Sequence, residues 1–67
     1  MSESWRGRSV AELERASGTR VAFVVRLGAA TVPTGATVVQ DGDIVHVVLS
    51  TENADDAVTT LEKGPED

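Results

Sequence analysis

Cysteine is absent from the 67-residue chain, and so is tyrosine. Without cysteine there are no disulfides, no thiolate metal sites and no thiol nucleophile. The composition fits a reducing compartment. Aromatic side chains are scarce as well: one Trp and one Phe leave no platform on which bases could stack. No apolar run approaches the roughly 20 residues needed to span a bilayer. The opening "MSESWRGRSV" lacks the apolar segment of a signal peptide. These absences point to a cytoplasmic protein with no direct membrane insertion.

Basic charge is missing from the second half. Residues 1 to 30 hold five Arg and three Glu, whereas residues 41 to 67 hold eight Asp or Glu and one Lys, within a net charge of −5. An acidic half repels phosphate backbones, which argues against a nucleic acid polymer as partner. Catalytic equipment is thin: one His, one Lys near the end, and no base evidently poised beside a Ser or Thr. No phosphate-binding glycine loop is present. The expectation is a chain that is not an enzyme.

What remains is one small domain over residues 1–67, with its core at about 6–62. A chain this short buries only a thin core and gains from a partner surface. Ser9 and Glu12 have the spacing of a capping box, Val10, Leu13 and Ala16/Ser17 recur at helical spacing, and Gly18 is a natural stop. A helix is expected over 9–17. Residues 20 to 27, "RVAFVVRL", predict a strand apolar on both faces, Val21, Phe23 and Val25 sharing one and Ala22, Val24 and Arg26 the other. "GAATVPTG" predicts a turn, a very short extended piece and another turn, with Pro33 disfavouring a central strand. Two further strands are expected at 37–40 and 44–49, joined by "DGD" as a hairpin. Thr51 or Asn53 can cap a final helix striped by Ala54, Ala57, Val58 and Leu61, and "KGPED" should end it and fray. The fold class is therefore α/β in the α+β sense: a small, mostly antiparallel sheet with both helices on one face.

Asp41, Asp43 and His46 are candidate metal ligands, but the run lacks the further oxygen ligands of a calcium loop and makes a weak transition-metal set. The acidic pair reads better as a solvated turn, and no metal is expected. Arg26 is a charge on a largely apolar face. It either snorkels or pairs with an Asp, or it contacts an anion. A ubiquitin-like β-grasp sulfur carrier shares late Gly-Asp hairpins of this type. That chemistry needs a reactive C-terminal Gly-Gly, and the chain ends "GPED". A protein-interaction module without a ligand also stays open.

Gly7, Ser9, Val10, Glu12 and Leu13, then Val21 to Arg26, Pro33, and Gly42 with Asp43 stand in an order and spacing that resembles the C-terminal regulatory domain of TrkA-type potassium-uptake proteins, the RCK-C or TrkA-C domain. The resemblance implies a non-catalytic, ligand-sensing unit that forms a homodimer. It implies a Rossmann-type nucleotide-binding domain as neighbour and a membrane potassium transporter or channel subunit as partner. The family's opening strand is missing or stunted in "MSESW". The family's Rossmann domain is absent altogether, so the chain is expected to be a cut-out domain or a stand-alone relative. Some family members bind cyclic di-AMP at the dimer interface. The resemblance places that ligand's contacts on Arg26, Val32, Pro33 and Thr37, with Thr31 where an apolar residue is expected.

Overall fold

A computed structural model describes residues 2–65. Helix α1 (Val10–Ser17) is followed by strands β1 (Arg20–Arg26), β2 (Ala29–Thr31) and β3 (Ile44–Val48), and then by helix α2 (Ala54–Lys63). Short 3-10 turns at Glu3–Trp5 and Thr51–Asn53 precede the two helices. The sheet is antiparallel in the order β2-β1-β3. This is the expected α+β architecture. One core cluster contains Val10 and Leu13 of α1, Val21 and Val24 of β1, Leu61 of α2, and Trp5 and Val39, with Val45 and Val47 of β3 packed against it. Both helices therefore serve the same face of the sheet.

The start of α1 shows how local chemistry places the long central loop. The first amides of a helix have no partner within it and must find one elsewhere. Here Val10 N–H donates to Thr37 O at 2.7 Å, and Ala11 N–H to Gly35 O at 3.0 Å. Glu12 N–H donates to the Ser9 side chain at 3.1 Å. The helix ends as the sequence predicts, with Gly18 left-handed at φ 71° and its N–H on Glu14 O.

That capping overturns one expectation. Residues 37–40 are not a strand paired with 44–49. The segment lies against the N-terminal residues instead: Gly7 N–H donates to Val39 O at 2.8 Å, Val39 N–H to Arg8 O at 2.9 Å, and Ser9 bridges Val38. The Asp-Gly turn does form, with Asp43 N–H on Gln40 O at 3.1 Å and Gly42 at φ 84°. Its two arms diverge, because the arm before it is committed to the entrance of α1.

The face assignment of β1 also changes. Val21 faces Val47, and Phe23 faces His46, so Ala22 sits in a β-bulge. An extra residue reverses the alternation beyond it. Val21 and Val24 thus share the core face, while Phe23 and Val25 lie on the other side with His46 and Ile44.

At the far end, the N-terminal segment closes over α2. The Leu61 carbonyl accepts from Ser2 N–H at 2.9 Å and from the Trp5 indole N–H at 3.0 Å. Trp5 is fully buried. Neither Thr51 nor Asn53 supplies the cap expected before α2: Asn53 makes no side-chain cap bond, and Ser50 accepts from Glu52 N–H instead. In the stripe, Ala57 and Leu61 are buried and Val58 is exposed. Of the tail expected to fray, Gly64 is buried against Ser2 and Ser4, while Glu66 and Asp67 lie outside the described residues.

Candidate functional site

Arg26 ends β1 just before the turn to β2, and Asp43 follows the Asp-Gly turn just before β3. Register brings them together, because Val25 stands opposite Ile44. The guanidinium grips the carboxylate with two bonds, Nε to Oδ1 at 2.8 Å and Nη2 to Oδ2 at 2.7 Å. Nη2 also donates to Val38 O at 3.1 Å, and Oδ2 accepts from Gln40 N–H at 2.9 Å. The paired fork is the strong, directional form of the Arg–carboxylate contact. The Asp43 side chain is only 1% exposed, whereas Arg26 keeps 37%. The bond to Arg26 holds the Asp43 carboxyl below its usual range, against the opposing effect of burial, with help from Gln40 N–H. The same bond raises Arg26 further above its usual value.

Arg26, Pro33 and Thr37 do converge. With Val24 and Thr31 they line a hollow of about 50 Å³. Small-molecule sites start near about 300 Å³, so the hollow by itself admits nothing of that size. Thr37 turns its hydroxyl toward its own loop and accepts from Thr34 N–H at 3.0 Å. Val32 does not join this group. It is among the residues lining a neighbouring groove of about 380 Å³ with Val10, Glu14, Arg20 and Val21, and Pro33 borders both. The structure thus gathers three of the four expected contacts, with Thr31 where a fourth was sought.

The three metal-ligand candidates each have another engagement. Asp41 pairs with Arg6 at 3.2 Å, Asp43 is held by Arg26, and His46 stacks on Phe23 with ring centroids 4.2 Å apart. Among the described residues no group of three or more His, Asp or Glu is placed to hold a metal. None of the described helices is long and apolar enough to cross a membrane.

Both ends of the Arg26–Asp43 clamp belong to the pattern Arg…Pro…Gly-Asp, and the clamp explains the spacing: strand-ending Arg and turn-ending Asp must meet for β3 to lie beside β1. The sequence of residues 1–61 matches the TrkA-C domain. The chain belongs to the TrkA-C domain family. It is 44% identical over 66 residues to the Trk system potassium uptake protein TrkA of Streptomyces coelicolor, a match covering 98% of this chain and 30% of that protein. The chain therefore spans about 30% of the length of that curated relative. No solved structure matches it.

Two residues important to this TrkA-C domain escaped the sequence reading. Trp5 looked like the remnant of a lost strand but anchors the core, and an isolated indole near a polar terminus gives little hint of that. Asp43 looked like a solvated turn residue. Its signal was the Arg at the end of an apolar strand, a charge that needs an acid nearby.

Proposed function

We propose that this chain is a non-catalytic regulatory domain of a potassium-uptake system and that it acts as a homodimer. The observation that carries the reading is the match to the TrkA-C domain over residues 1–61 together with the likeness to a potassium uptake protein along nearly the whole chain. The reading places it in the cytoplasm, beside a Rossmann-type nucleotide-binding domain and under a membrane potassium transporter or channel subunit. The physical role is to couple the pairing of two copies to the state of that partner, and no covalent chemistry is assigned to it.

A small anionic ligand, cyclic di-AMP or one of similar chemistry, is proposed at Arg26, Pro33 and Thr37, with Val32 at the margin. The clustering of three of these residues supports the site. Its size and the prior commitment of Arg26 to Asp43 set the condition: a phosphate must share or displace the carboxylate, and a second copy must enlarge the hollow. Calorimetry with cyclic di-AMP on the chain and on Arg26→Ala tests this. Loss of binding in the variant supports the site, and equal affinity removes Arg26 from it.

The regulatory reading is tested in cells that depend on the potassium-uptake protein carrying this domain. Deleting the domain is expected to abolish or deregulate uptake at low external potassium. Unchanged uptake would contradict the reading.

A further inference from the structure

Residues 37–40 are tied to the end of the sheet by side chains rather than by a ladder. Apart from the bonds that close its own turns, the backbone bonds of this segment among the described residues run to Gly7, Arg8 and Val10. On the sheet side, the two partners of the clamp stand where ladder bonds would. Arg26 Nη2 donates to Val38 O at 3.1 Å, and Asp43 Oδ2 accepts from Gln40 N–H at 2.9 Å. The clamp therefore holds two things at once: the register of β1 with β3, and the segment that caps α1.

The same clamp closes the hollow beside it to anions. Among the described residues Arg26 is the only basic group lining that hollow. Of its five N–H donors, one at Nε and one at Nη2 go to Asp43, and the other at Nη2 goes to Val38 O, which leaves those on Nη1. Its charge is spent as well, because the pair presents no net charge. A phosphate set on Nη1 would place a second anion beside a carboxylate that is 1% exposed and little screened by water. To draw on the full charge of Arg26, an anion must take the place of Asp43. Arg26 is also a wall of the hollow, so its release changes the size of that space along with its charge.

We propose that Asp43 is a built-in competitor for the anion site: it holds Arg26 closed, and an anion that takes Arg26 loosens residues 38–40 from the sheet. This rests on the ligand reading above and says how that site is regulated and where its occupancy is felt. A displaced carboxylate cannot stay buried without its partner. The turn carrying Asp43 then moves and gives up Gln40 N–H, while Val38 O loses its donor on Arg26. Both ties go together. The segment they release is the one whose Thr37 O receives Val10 N–H and whose Val39 pairs with Gly7 and Arg8, so the effect reaches the start of α1. Linkage makes the coupling reciprocal: what opens the clamp favours the anion.

Calorimetry with cyclic di-AMP on the chain, on Asp43→Asn and on the double variant Arg26→Gln with Asp43→Asn tests the competitor. Asp43→Asn keeps the shape of the side chain without its charge and is expected to bind about tenfold tighter or more. The double variant leaves no orphaned carboxylate and is expected to lose binding. Amide hydrogen exchange on the unsubstituted chain tests the coupling even where a variant fails to fold. Saturating nucleotide is expected to speed exchange at Gly7, Val39 and Gln40 and not at Leu13. Equal or weaker binding by Asp43→Asn, with binding lost in the double variant, overturns the competitor and leaves the site standing. A double variant that binds as tightly as Asp43→Asn overturns it too, since the gain then owes nothing to Arg26. Unchanged or slowed exchange at the three amides overturns the release of residues 38–40. No binding by either the chain or Asp43→Asn overturns the site and the competitor together.

Discussion

The two faces of the sheet are made of nearly the same residue types and have opposite surroundings. On one side Val21, Val24, Val45 and Val47 meet two helices and the Trp5 ring. On the other, Phe23, Val25, Ile44 and Val48 meet no helix. Hydrophobicity alone does not decide which face is covered. The decision comes from the connections: the loop at 35–39 docks on the first turn of α1, and the N-terminal segment docks on the last turn of α2, which pins both helices to one side. The bulge at Ala22 then selects which β1 side chains join them. The other face leaves Ile44 and Val48 exposed.

Breaking the covered face is expected to have the largest effect. Trp5→Ala removes a fully buried ring and its bond to Leu61 O. The expected loss is about 3–5 kcal/mol, most or all of the stability of so small a domain. Urea denaturation followed by circular dichroism checks it. A smaller loss is expected from Gly64→Ala. A Cβ there would stand 2.8 Å from Ser4 Cβ, on a backbone with φ 94° and ψ 178° that is nearly restricted to glycine. The cost is about 1–3 kcal/mol, read from the same denaturation curves.

The clamp that holds the two long strands together gives a pH signature. Asp43 has its folded-state pKa lowered, first by its hydrogen bonds to Arg26. Its contribution is therefore present above the unfolded-state value, about 3.9, and is lost as pH falls through the folded-state value. The raised Arg26 contributes no slope in acid, since its contribution is full below its ordinary range. Denaturation midpoints between pH 7 and pH 2 should fall in the chain, and fall less steeply in Asp43→Asn, which is already weaker at pH 7. Equal acid slopes would show that the clamp does not titrate.

The smallest effect on folding belongs to the uncovered face. At concentrations where the chain is monomeric, Ile44→Ser should change stability by no more than about 0.5 kcal/mol. A loss as large as that of a core residue would mean that this face is already packed within one copy.

Much of the covered side was legible in the sequence. Ser9 and Gly18 bound α1 because capping chemistry is local, and Ala57 and Leu61 announce the buried side of α2 by spacing alone. Long-range pairing was not legible. "TVVQ" has strand composition, but Thr37 and Val39 pair their backbones with residues 7–10 instead of with 44–49, a choice made by the amides of the N-terminal segment and the start of α1. The bulge was equally hidden, since "RVAFVV" alternates no more clearly in one register than the other. At the candidate site, the family resemblance named Arg26, Val32, Pro33 and Thr37 together, and all but Val32 line one hollow, while the 1% exposed Asp43 was taken for a turn residue because burial depends on the register of β3 against β1.

The claim that the connections leave one face of the sheet covered and the other open is tested most directly by methyl NMR spectra of the chain with a soluble paramagnetic agent. The account predicts strong relaxation at Leu27, Ile44 and Val48, and protection of Leu13, Val21 and Leu61. Equal relaxation of the two sets, or protection of Ile44 and Val48, would contradict it.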